Sequence, residues 1–250
     1  MIKVLSIGNS FSEDAQRYLY GIARADGVSM KTVNLYIGGC SLERHYRNML
    51  SGDAVYDFQI NGITNTGIKI SIDDALLLDD WDYITVQQQS SRSCNAETFV
   101  PYIDSLCEHI RLCCPKAKIL MVETWGYKEG SKMLLDAGYE KHEAMLFDIR
   151  KAYKRISKRI NADGIIYAGD AVLLANREEY ENIYRDEFHM SRTFGRYMIG
   201  LVFYGAITNN QIENNTFCDF DEPLGDTDVA LAKKIASEVI EKRAYNNIGR

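Results

Sequence analysis

Ile2-Lys3-Val4-Leu5-Ser6-Ile7-Gly8-Asn9-Ser10-Phe11-Ser12-Glu13-Asp14 opens this 250-residue chain, and the change of period inside it decides the fold. The apolar run 2–7 reads as a buried strand, and Ala15, Leu19, Ile22 and Ala23 follow at helical spacing. Between them Gly8 permits a sharp turn, and Ser12 reads as the helix cap, with Glu13 and Asp14 in the favourable first turn. Ser10 therefore stands at the carboxyl end of a first strand, behind a glycine and ahead of a helix. Two readings fit that position: a nucleophile held at a strand end, or a helix-capping turn with no chemistry.

The same alternation runs on through the sequence. Short runs rich in β-branched residues at 31–37, 83–87, 118–123 and 164–167 read as further strands. Helical stretches lie between and after them, at 99–113, along the stripe Met145, Ile149, Tyr153, Ile156 and Ile160, at 193–207 and at 229–240. Strand alternating with helix predicts an α/β fold, a five-stranded, mainly parallel sheet covered on both faces. One segment departs from this. Tyr56, Phe58 and Ile60, then Ile68, Ile70 and Ile72, keep period 2 on either side of a 62–67 turn, which predicts a β-hairpin at about 55–72 inserted before the third strand as an edge ribbon. With no repeat, low-complexity stretch or Pro/Gly-rich linker, residues 1–250 are expected to form one domain.

Bulk properties exclude several classes of function. A net charge of −6 argues against nucleic acid as a partner, since phosphate binding needs concentrated positive charge. The cluster Arg150, Lys151, Lys154, Arg155, Lys158 and Arg159 reads as the solvated face of one helix. No apolar run approaches a membrane span, and Met1 leads straight into the first strand, so a cytoplasmic protein without membrane contact is expected. The six cysteines include no C-x-x-C pair and read as free thiols. Cys40 lies beside Gly39 with no basic neighbour in sequence to activate it, and His45 reads as a surface residue. The four histidines are dispersed and form no i, i+4 pair, so neither a metal nor a cofactor is expected.

In open α/β sheets, ligands bind beyond the carboxyl ends of the strands. The residues there are Asn9 and Ser10, then Gly38, Gly39, Cys40 and Ser41, then Gln87, Gln88, Gln89 and Ser90, and finally Thr124 and Trp125. This rim is polar and suited to hydrogen bonding, although a solvated loop explains it equally. A serine nucleophile needs a base, and the base needs an orienting partner. Asp186 and His189, three apart in Arg185-Asp186-Glu187-Phe188-His189, can supply both.

The order Gly8-Asn9-Ser10, Gly39, a polar residue after the third strand and Asp186-x-x-His189 resembles the SGNH hydrolases, or GDSL-type esterases, over nearly the whole domain. The resemblance implies a flavodoxin-like three-layer sandwich with Ser10 as nucleophile, His189 as general base and Asp186 as its orienter. It further implies an oxyanion hole built from the backbone N–H groups of Ser10 and Gly39. Block one differs by Asn9 where the family has aspartate, and the third block differs more. The family usually has Gly-x-Asn-Asp there, and this chain has Gln87-Gln88-Gln89-Ser90. Related sialate and other carbohydrate acetylesterases carry a Gln-Gly-Glu sequence at this strand end, which points to Gln87 as the third donor, with Gln89 the alternative. The implied substrate is a small ester, an acetylated carbohydrate above all, with Asn9 and Gln88 near it and Trp125 able to stack on a sugar ring. A lysophospholipase or thioesterase on the same scaffold stands as the alternative enzyme. A small-anion-binding module is the non-catalytic alternative, which leaves Asp186-x-x-His189 without a purpose.

Overall fold

A computed structural model describes residues 1–248. β1 (Ile2–Gly8), β2 (Met30–Tyr36), β5 (Tyr83–Val86), β6 (Lys118–Val122) and β7 (Gly164–Ile166) match the five expected strands to within one residue at each end, and their pairings with one another are all parallel. The hairpin does more than cover an edge. β3 (Tyr56–Ile60) pairs antiparallel with β2 and β4 (Lys69–Ile70) antiparallel with β3, giving seven strands in the order β4-β3-β2-β1-β5-β6-β7. The expected five-stranded sheet is thus extended by two. The backbone groups along the outer side of β2 need partners, and the hairpin supplies them. Ile72, read as the hairpin's last residue, instead opens α4 (Ile72–Leu77), which Ser71 caps.

Side chains alternate across β1 and divide the interior in two. Val4 packs with α1 (Ser10–Gln16), α2 (Leu19–Ala25), α8 (Ala168–Arg177), α9 (Phe194–Thr208) and α10 (Asp226–Ile248). Leu5 and Ile7 face the opposite layer, built from α3 (Leu42–Ser51), α4, α5 (Tyr102–Cys113) and α7 (His142–Arg159), with α6 (Lys132–Asp136) at its margin. The three-layer architecture follows from this period of two in a sheet buried on both faces.

Three local details differ from the sequence reading. The first helix is two helices, α1 and α2, and its cap is Asn9, whose side chain accepts from the Phe11 N–H, while Ser12 lies inside α1. α5 starts after Pro101 instead of at Phe99, because the residue before a proline is pushed out of helical geometry. His45 is fully buried, where a surface position was expected.

The order of strands sets the location of the site. From β1 the chain moves outward through β2 to β4, then returns to the opposite side of β1 at β5. The direction of winding therefore reverses at β1, opening a crevice at its carboxyl end. Ser10, Gly39 and the glutamine run all lie on the segments that leave β1, β2 and β5 at that end.

Candidate active site

Asn9 builds the turn that presents Ser10. Its Oδ1 accepts from the Phe11 N–H at 3.0 Å and from Gln87 Nε2 at 2.8 Å, and its Nδ2 donates to the Cys40 carbonyl at 3.0 Å. One side chain thus ties together the ends of β1, β2 and β5. Gly8 is required beside it, because a Cβ there would collide with the Ser12 side chain. Ser12 Oγ in turn lies 2.7 Å from the Asn9 carbonyl and 2.8 Å from Asn34 Oδ1.

The structure brings Ser10, His189 and Asp186 together across 176 to 179 positions of sequence. Ser10 Oγ is 2.8 Å from His189 Nε2, and His189 Nδ1 is 2.7 Å from Asp186 Oδ2. Burial pushes the Asp186 carboxyl up, but hydrogen bonds from the N–H groups of His189 and Phe188 and from the His189 ring outweigh it, leaving the group below its ordinary value of 3.8. An ionised carboxylate can only accept, so the His189 proton sits on Nδ1 and Nε2 is free to accept from the Ser10 hydroxyl. Phe188 covers the imidazole, its ring centroid 3.9 Å away.

The glutamine run separates into three roles. Gln87 is 1% exposed and donates to Asn9, so its amide braces the Ser10 turn. Gln88 is fully buried: its Oε1 accepts from the N–H groups of Leu42 and Gln89, and its Nε2 donates to the Thr98 carbonyl. Gln88 therefore has no surface to offer a substrate, contrary to the sequence expectation. Gln89 is half-buried, and its Nε2 lies 3.9 Å from where a Cβ on Gly39 would be. Gly39 itself is exposed with φ +61°, in a turn closed by the Cys40 N–H donating to the Ile37 carbonyl. Of the two glutamines, Gln89 is the one whose amide hangs beside Gly39.

Trp125 and Asn9 are also corrected as substrate contacts. Trp125 is fully buried, stacked on Phe11 at 3.9 Å, and its Nε1 donates to the Phe188 carbonyl at 2.7 Å. Its indole supports the histidine loop from below, and no ring face remains for a sugar. Asn9 is 3% exposed with both ends of its amide engaged. Glu187 went unnoticed in the sequence. Its carboxylate accepts from the N–H groups of Lys132 and Met133 at the start of α6, anchoring the loop from a third side. No local signal marks it, because the partners lie 54 and 55 positions away.

Cys40 has a basic neighbour after all, His45 Nδ1 at 3.5 Å. Burial pushes the thiol up to about 12 and the imidazole down to about 3, so both are neutral and the cysteine is inert. All six cysteines are free. Among the described residues no group of three His, Cys, Asp or Glu side chains is arranged to hold a metal ion, and no helix is long and apolar enough to cross a membrane.

A DUF4886 family protein of known structure from Bacteroides uniformis is 29% identical, with a TM-score of 0.86 over 96% of this chain and 94% of that one. A candidate SGNH hydrolase from Slackia heliotrinireducens (19% identity, TM-score 0.56, 81% and 97% covered) shares the fold. So does a carbohydrate esterase family 3 protein from Talaromyces cellulolyticus (12% identity, TM-score 0.56, 84% and 97% covered). The fold is that of the SGNH hydrolase superfamily. No curated protein matches the sequence. The family described as "Domain of unknown function (DUF4886)" matches residues 3–238, and the chain belongs to that family.

Proposed function

We propose that this chain is a serine hydrolase acting on carboxylic esters through an acyl-enzyme. The observation that carries the reading is the continuous pair of hydrogen bonds from Ser10 Oγ to His189 to Asp186, at 2.8 and 2.7 Å. Ser10 Oγ passes its proton to His189 Nε2 as it attacks the ester carbonyl, and His189 returns that proton to the departing alcohol. Water, deprotonated by the same ring, then attacks the acyl-serine; the bond from the acyl carbon to Ser10 Oγ breaks, the ring returns the proton to Oγ, and the acid is released. Asp186 holds the ring in the required tautomer and stabilises the imidazolium formed on the way. The tetrahedral oxyanion is met by the N–H groups of Ser10 and Gly39 and by the Gln89 amide, which lies beside Gly39.

The finer assignment is a short acyl group, acetyl above all, on a carbohydrate alcohol. The likeness in fold to a carbohydrate esterase supports it, together with the polar character of Gln89, Ser90 and Arg92 at the rim. Ser10→Ala is expected to lower the hydrolysis of p-nitrophenyl acetate by more than about 10⁴-fold with the thermal melt retained. Undiminished activity in that variant rules the reading out. Acetyl esters, including a peracetylated monosaccharide, are expected to outpace octanoyl and palmitoyl esters; the reverse order selects a lysophospholipase or thioesterase instead. A folded wild-type chain whose Ser10 is not labelled by a fluorophosphonate selects the non-catalytic binding module.

A further inference from the structure

The loop carrying Asp186 and His189 leaves from Tyr184 and returns at Met190, which face each other in an isolated antiparallel bridge. The Arg185 N–H donates to the His189 carbonyl at 3.0 Å, closing the turn. Against this turn stands Asp14, one helical turn beyond Ser10 on α1 and fully buried. Its Oδ2 accepts from the Met190 N–H at 3.1 Å. Its Oδ1 accepts from Arg185 Nη1 at 2.7 Å and from Arg196 Nε on α9 at 2.8 Å. Arg185 Nη1 also donates to the Met190 carbonyl at 2.5 Å. One carboxylate therefore grips both ends of the loop that presents His189.

A buried carboxylate is costly unless it is paired and its lone pairs are satisfied. Two guanidinium groups and one backbone N–H meet both conditions here. A simple core ion pair would account for the charge balance with Arg196. It gives no reason for the bond from Asp14 to the backbone of Met190, the residue next to His189. Ser10 and Asp14 share one short helix, so a bond that fixes the loop to Asp14 also fixes the distance from Ser10 to His189.

We propose that Asp14, acting through Arg185, is a positioning residue that sets the register between the Ser10 helix and the His189 loop; this rests on the serine-hydrolase reading. Asp14 touches neither the substrate nor the reacting atoms. Its effect is on how much of the time Ser10 Oγ and His189 Nε2 are within hydrogen-bonding reach. Because a displacement of this kind slows the chemical step and leaves the ester-binding surface alone, it lowers kcat with little change in KM.

The test compares the full chain as wild type, Asp14→Asn, Arg185→Gln and Arg185→Lys, with p-nitrophenyl acetate as substrate and a fluorophosphonate as probe of Ser10. Asp14→Asn is expected to lower kcat and the labelling rate about 100-fold with KM near the wild-type value. Arg185→Lys, which keeps a charged donor, is expected to recover part of what Arg185→Gln loses. Circular dichroism and thermal melts establish which variants are folded. If Asp14→Asn does not fold, the Arg185 pair carries the same test, since that side chain is 25% exposed. Folded variants with wild-type kcat and labelling rate overturn the proposal. A wild-type chain that neither hydrolyses nor labels defeats the hydrolase reading instead. Positioning is then read from crystal structures of the wild type and Asp14→Asn: a lengthened Ser10 Oγ to His189 Nε2 separation in the variant supports the proposal, and an unchanged separation of 2.8 Å overturns it.

Discussion

Ser10, Asp186 and His189 were legible because each lies in a short motif whose members are neighbours in sequence. The residues around them were not, because their partners are distant: Asp14 meets Arg185 across 171 positions and Gln87 meets Asn9 across 78. The glutamine run illustrates the limit. Three identical side chains in a row leave a sheet in different directions, and composition cannot say which one faces the ligand. If Gln89 supplies the third oxyanion donor, Gln89→Ala lowers kcat by about 10²–10³-fold with stability intact. Gln87→Ala, by contrast, unties Asn9 and lowers the melting temperature as well. Steady-state kinetics paired with thermal melts separates the two, and equal kcat losses in both variants would remove the distinction.

α3 shows how an element can hide a titratable group. The sequence of this helix suggested a surface His45, yet its ring lies parallel to that of Tyr56 on β3, with Nδ1 2.9 Å from the Tyr56 hydroxyl. Burial, and to a lesser extent the nearby Arg44 charge, depresses the imidazole from 6.5 to about 3. The unfolded chain therefore binds a proton below pH 6.5 that the folded chain does not. Stability from this group is complete above pH 6.5 and declines as pH falls toward about 3. His45→Phe, which keeps a ring in the slot, is expected to flatten that part of the melting temperature profile. An unchanged slope between those pH values would show that other groups dominate. The hairpin carries a similar lesson: its alternating pattern was clear, but whether β3 would lie over the sheet or join it depended on the open edge of β2.

Across the whole molecule, the layer holding α9 and α10 forms one core and the layer holding α5 and α7 the other, with the sheet between them. α10 buries Ala232, Ile235, Ala236 and Val239 in the first of these. Ile235 and Val239 together contribute about 3–6 kcal/mol on burial, a large share of the roughly 5–15 kcal/mol that holds a typical domain folded. Deleting 226–250 is therefore expected to abolish the cooperative melt seen for the full chain; a sharp transition near the original temperature would show that α10 is dispensable. The parallel α/β plan and the three motif residues were written locally, since strand and helix periods and an Asp-x-x-His spacing depend on near neighbours alone. The seven-strand sheet, the burial of Trp125 and Gln88, and the grip of Asp14 on the histidine loop were settled in three dimensions. Each depends on which surfaces meet after the chain reverses at β1, and buried polar groups accept only the partners that this packing brings within hydrogen-bonding reach.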